Sequence, residues 1–174
     1  MDSFHGDPIL LEKYQEITQD LRNAYNKGVS LCFAGGHGLG KTMTCTNILK
    51  QAVNKGYSGL YATLNDIVAC TVNSPPDDRS AARKELLTVD FLVIDEFDPR
   101  YMGSENAADL FGRVLEDIFR TRAQNKMPVF MCTNSPNPVE SFTGPIKQSI
   151  TSLMNYVTKV SVLGKDFRKE QKDK

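Results

Sequence analysis

The chain has 174 residues, with 21 Lys plus Arg against 21 Asp plus Glu, so its formal net charge is zero. That length accommodates one domain, and the charge balance excludes a protein that grips nucleic acid by bulk charge alone. Apolar residues at 40%, charged residues at 24%, 12 Gly and 8 Pro are the proportions of a soluble globular domain, which excludes collagenous, disordered and coiled-coil classes.

No apolar run approaches the ~20 residues of a membrane span. Asp2, Asp7, Glu12 and Glu16 break up any secretory leader, and the reading is a cytoplasmic protein without membrane partners. Cys32, Cys45, Cys70 and Cys132 form no C-x-x-C pair, and His5 and His37 are not spaced to complete a metal site with them. Buried, reduced thiols are expected.

In chain order, Leu10, Tyr14, Ile17, Leu21 and Tyr25 recur at steps of three and four, which predicts one amphipathic helix over 9–25, stopped at Gly28. Val29 to Ala34 is a strand-length apolar run, and after a glycine-rich loop Ile48, Leu49, Ala52 and Val53 share a helical face that ends at Lys55-Gly56. Leu60 to Thr63 predicts a second strand, Leu64 to Val72 a short helix, and Asn73 to Asp78 a loop around the Pro75-Pro76 pair. A helix over 80–88 leads into a third strand, Phe91 to Ile94. Ser104 is placed to cap a long helix to Gln124, with Phe111, Val114, Leu115, Ile118 and Phe119 inward, and Arg113–Asp117 and Glu116–Arg120 as outer pairs. Val129 to Cys132 predicts the fourth strand. After Pro136, Pro138, Gly144 and Pro145, a helix over 146–154 and a strand over Val157 to Val162 close the pattern. Strands alternating with helices imply an α/β fold, a five-stranded parallel sheet covered on both faces. The expectation is one domain over 1–174 with frayed tails at 1–8 and 165–174.

The strongest chemical signal is Gly35-Gly36-His37-Gly38-Leu39-Gly40-Lys41-Thr42, which fits G-x-x-x-x-G-K-[S/T] between a strand and a helix, with Met43 next in that helix. Glycines let the backbone wrap so that successive N–H groups face phosphate oxygens, and the helix start adds its positive dipole end. Lys41 would reach the β- and γ-phosphates and the Thr42 hydroxyl would ligate magnesium, so ATP or ADP with Mg2+ is the implied cofactor. His37 reads as a solvent-facing loop position. Phe91-Leu92-Val93-Ile94-Asp95-Glu96 is an apolar strand ending in two acids. Asp95 would orient the magnesium, and Glu96 would take a proton from a water attacking the γ-phosphate. Val129 to Thr133 ends in Asn134, a group suited to bonding the γ-phosphate or the lytic water, or alternatively to starting a turn before Ser135-Pro136.

GGHGLGKT, FLVIDE and VFMCTN, in that order, resemble the Walker A, Walker B and sensor 1 elements of AAA+ ATPases. Within that group the chain looks most like the DnaC/DnaI helicase loaders and IstB transposition ATPases. YATLNDIVACTV and VTKVSVLGKDFRK extend the likeness, which spans about residues 9 to 168. The resemblance implies a three-layer P-loop NTPase of AAA+ type and a helicase loader or transposition accessory ATPase. It implies a replicative helicase or other DNA-processing protein as partner, with single-stranded DNA as a further ligand.

Three departures are noted. The family's usual N-terminal partner-binding domain and C-terminal helical lid are not expected within these residues. Ile150-Thr151-Ser152-Leu153 stands where the family usually has S-R-L or S-R-C, so Ser152 occupies the position of an arginine that completes a neighbour's site. A weak or partner-dependent oligomer is expected in consequence, with Arg100 and Arg113 as the nearest other arginines. Residues 64–90 carry more acid than base, while the segment from Lys147 is net basic and reads as a solvated tail. Two other readings stay open: a small P-loop kinase, which would need an arginine-rich lid and an acceptor pocket, and a nucleotide-binding switch with little or no hydrolysis.

Overall fold

Short apolar runs flanked by helices can bury both faces only as a parallel sheet, and the computed structural model, which describes residues 6–98, 105–164 and 166, has that arrangement. The strands are β1 Leu31–Ala34, β2 Gly59–Thr63, β3 Phe91–Asp95, β4 Val129–Thr133 and β5 Thr158–Ser161, in the order β2-β3-β4-β1-β5. All four pairings are parallel: Leu31 lies opposite Phe130 on one side and Thr158 on the other, and Thr63 lies opposite Asp95. Every residue of β1, β3 and β4 is buried, whereas β2 and β5 are half-exposed edges.

Alternation along the strands divides the core in two. Phe33, Val93 and Phe130 pack with Leu10, Ile17 and Ile48, from α1 Pro8–Gln19 and α3 Lys41–Asn54. Cys32, Leu92, Ile94 and Met131 face the other way, against Phe111, Leu115 and Ile118 of α6 Glu105–Gln124 and Ile150 of α7 Ile146–Leu153. The three-layer expectation holds.

Several boundaries differ for local reasons. The helix expected over 9–25 is two helices, α1 and α2 Leu21–Lys27, because Asp20 leaves helical geometry at ψ 71° and caps α2 by accepting from the Asn23 amide. Gly28 does end α2, at φ 66°. Asp7, assigned to a tail by sequence, caps α1 through the Ile9 amide and accepts from the Leu163 amide beyond β5. The helix expected over Leu64–Val72 starts with a Thr63–Asp66 capping box as α4 Leu64–Val68 and continues as a wider π turn over Ala69–Asn73. Asp77 and Asp78 are helical, not loop: Pro76 fits the first turn of α5 Pro76–Thr88, where the two acids meet the positive helix end. Val53, expected on the inner face of α3, is 51% exposed. The outer pairs on α6 also change partners. Arg113 pairs with Asp109, Asp117 takes Arg83 of α5 as well as Arg120, and Glu116 accepts from Ser152. The proposed Ser104 cap lies outside the described residues.

The amino-terminal end of the sheet is closed by polar groups. Asp90 accepts from Tyr25 Oη at 2.9 Å and from the Ser58 amide and hydroxyl at 2.7 Å each. Arg122, fully buried, donates from Nη1 to the carbonyls of Leu86 and Val89 and from Nη2 to those of Asp90 and Pro128, at 2.8 to 3.1 Å. Burial pulls its pKa down to about 10.

Candidate functional site: the phosphate loop and the strand ends around it

The carboxyl ends of β1, β3 and β4 lie side by side, the place where an open parallel sheet presents a crevice. The loop after β1 enters it under steric compulsion. A Cβ on Gly35 would sit 2.2 Å from the Val162 carbonyl oxygen, so only glycine lets the chain turn there. Gly40 stands at φ 90° and passes directly into α3, so the first amides of that helix face the loop. Leu39 is buried and anchors the loop, whereas His37, Thr42 and Met43 are exposed at its rim.

Lys41 is only 5% exposed. Its Nζ donates to the Gly35 and Gly36 carbonyls and, at 3.1 Å, to Asn134 Oδ1 at the end of β4. The first and third sequence motifs therefore meet through one hydrogen bond. Beside them Asp95 ends β3, 6% exposed, its Oδ1 accepting from the Glu96 amide at 2.8 Å. Glu96 follows at φ 50°, a left-handed conformation rare for a residue with a side chain. This turn carries Glu96 out of the strand to an exposed position next to buried Asp95.

The loop from Gly35 through Gly36, Gly38 and Gly40 to Lys41 and Thr42 is thus tied to Asn134, and Asp95 and Glu96 end the strand beside β4. The Cys132 thiol, on β4, donates to Cys45 in the first turns of α3 at 3.2 Å. That contact and complete burial hold the Cys132 thiol well above its ordinary pKa, which keeps it protonated. All four cysteines are free, and Cys32, Cys45 and Cys132 are buried as expected, whereas Cys70 is only half-buried.

Sequence reading missed Tyr61. This edge-strand residue donates from Oη to Asp95 Oδ2 at 2.8 Å. Alternation places Tyr61, Val93 and Asp95 on the α3 side of the sheet, and a phenol spans the diagonal to a residue two steps on. The Tyr61 hydroxyl is pushed upward in pKa by desolvation and by the Asp95 carboxylate, so it stays a donor. An alternation count would have put it on that face, but its register against β3 is not visible in sequence.

Ser152 does not face outward from α7: its hydroxyl donates to Glu116 Oε1 at 2.8 Å. Arg113 is paired on its own helix, and Arg100 lies outside the described residues. The net acidic stretch over 64–90 nevertheless gathers its cations. Arg79, Arg83 and Lys84 line a cavity of about 500 Å³ with Leu87 and Val114. Of the basic tail, Lys165, Arg168, Lys169, Lys172 and Lys174 lie outside the described residues. No described helix is long and apolar enough to cross a membrane.

A family profile described as IstB-like ATP binding protein matches residues 16–135, the segment that holds the phosphate loop, Asp95, Glu96 and Asn134. The chain belongs to this family. Among solved structures, the replication initiator DnaA bound to AMPPCP and single-stranded DNA superposes with a TM-score of 0.72 at 16% identity, over 98% of this chain and 52% of that one. DnaI gives 0.70 at 15% identity, over 95% and 87%. The DnaC helicase loader gives 0.68 at 18% identity, over 93% and 95%. Likeness at such identities is likeness of fold, that of AAA+ P-loop NTPase domains. The chain spans about half the length of the initiators it matches. No curated protein matches it in sequence.

Proposed function

We propose that this chain is a magnesium-dependent ATPase that acts as a nucleotide-controlled switch on a replicative helicase or another DNA-processing protein. The observation that supports the reading is buried Lys41, at the start of a helix after a glycine-rich loop, bonded to the loop carbonyls and to Asn134, with Asp95 and Glu96 ending the strand next to β4. In it, the loop amides and Lys41 hold the β- and γ-phosphates, and Lys41 exchanges its carbonyl partners for phosphate oxygens. Glu96 accepts a proton from the attacking water, and Asn134 orients that water or the γ-phosphate. Thr42 and Asp95 are the residues that would hold magnesium, which when bound offsets charge on the transferred phosphoryl group. One hydroxyl and one carboxylate suit a hard cation that keeps its waters and takes its remaining ligands from phosphate.

A second reading, a switch that turns over slowly, is supported by Ser152. An arginine supplied in trans is worth roughly 10³ to 10⁵ in rate, and the α7 position that would supply it holds a hydroxyl bonded to Glu116. The deciding experiment is ATP turnover of the protein alone, with single-stranded DNA, and with a replicative helicase, across a range of protein concentrations. Slow, concentration-independent turnover that rises with a partner is expected. Glu96→Gln should bind ATP yet lose roughly 10² to 10⁴ of that turnover. Wild-type turnover in Glu96→Gln would assign the base elsewhere, and fast turnover at high concentration without a partner would point to another arginine in trans.

A further inference from the structure

Asp95 is the buried carboxylate of the site, and a carboxylate orients a cation only if its own plane is fixed. Two donors grip it, one on each oxygen: the Glu96 amide on Oδ1 and the Tyr61 hydroxyl on Oδ2. The amide belongs to the adjacent residue and comes with the backbone turn. The hydroxyl comes from a different strand, β2, which forms the edge of the sheet beside β3. Tyr61 is 42% exposed.

We infer that Tyr61 is a positioning residue for the carboxylate that the functional reading assigns to magnesium: its hydroxyl fixes the orientation of the Asp95 carboxyl group. The inference rests on the functional reading above and adds to it a residue from the edge strand. A hydrogen bond from a neutral phenol leaves the carboxylate charge in place, and the remaining lone pairs of Asp95 stay available to metal-bound water. Without the hydroxyl, rotation about the carboxyl bond is restrained by the Glu96 amide alone, and magnesium binding must supply the ordering that Tyr61 now provides in advance.

The test separates magnesium from nucleotide. ATP binding is titrated calorimetrically in EDTA and then over a magnesium series, for wild type, Tyr61→Phe, Asp95→Asn and the double variant. Tyr61→Phe keeps the ring and suits an edge strand, and its circular dichroism is compared with wild type. The expected result is unchanged affinity in EDTA with half-saturating magnesium raised about three- to tenfold. In the Asp95→Asn background the same substitution should change nothing further. Tyr61→Leu should match Tyr61→Phe, because the hydroxyl and not the ring carries the effect. The inference is overturned if Tyr61→Phe shows the wild-type magnesium requirement, if it weakens binding equally in EDTA, if its effect persists in Asp95→Asn, or if only Tyr61→Leu is impaired. A wild-type protein that binds no ATP overturns the functional reading, and this inference with it.

Discussion

Replacing Arg122 by Met removes four hydrogen bonds from one buried point while keeping a long unbranched side chain. The guanidinium serves the carbonyls of Leu86, Val89, Asp90 and Pro128, which close the segments leading into β3 and β4. Bonds from a charged donor are worth roughly 1.5 to 3 kcal/mol each, or about 6 to 12 kcal/mol for four. Burying the guanidinium costs several kcal/mol, about half of that sum, and its Nε finds no partner. The net loss is therefore about 3 to 6 kcal/mol. For a chain of this size that lowers Tm by about 6 to 24 °C. Urea unfolding followed by circular dichroism should show the midpoint falling with an unchanged slope. Arg122→Lys should land between the two, since one ammonium cannot reach four carbonyls fixed around a planar fork. ATP affinity measured well below Tm should match wild type, because Arg122 lies at the opposite end of the sheet from Lys41. An Arg122→Met protein within about 1 kcal/mol of wild type would refute the accounting, since that is the scale of an ordinary substitution.

On the proposed reading Lys41→Ala removes a cation that would bind the phosphates, and losing two charge-assisted bonds of about 1.5 kcal/mol each should weaken ATP binding roughly a hundredfold; unchanged affinity in a titration would move the nucleotide elsewhere. Asp90 gives an acid limb. Burial alone would raise its pKa, but the Ser58 amide and hydroxyl, the Tyr25 hydroxyl and the Arg122 charge outweigh it, and the carboxyl titrates below its ordinary 3.8. A lowered folded-state pKa means stability that is complete above 3.8 and is lost as pH falls through the lowered value. Wild-type Tm should therefore drop in that window, and Asp90→Asn, less stable at pH 7, should drop less; parallel curves would contradict the assignment.

The phosphate loop was legible because its constraints are local: a glycine where a Cβ would strike Val162, another at positive φ, and a helix beginning at once. The strands were legible because burial on both faces demands unbroken apolar runs such as Phe91 to Ile94. What the sequence hid depends on partners distant in the chain. Arg122 stands in the last turn of α6, and only the approach of the segments before β3 and β4 gives it buried partners. Asp117 was assigned to Arg113 by helical spacing, but α5 brings Arg83 to it. Tyr61 needed the β2–β3 register to become a partner of Asp95. The break at Asp20 was local yet still missed, because the apolar period runs through it while its carboxylate starts a new helix.

The strand order has a consequence for synthesis. β1, which launches the phosphate loop, is made before both its neighbours: Leu31 pairs with Phe130 and with Thr158, and Gly35 turns beneath Val162. A nascent chain that has emerged only as far as β3 holds the Lys41 loop and the Asp95 carboxylate but lacks the strand that lies between β1 and β3. It cannot join them. Until β4 leaves the ribosome, Phe33 and Val93 have no shared sheet to bury them, and a chaperone has apolar strands to hold. Competence to bind nucleotide therefore waits for β4 and β5, in step with completion of the sheet.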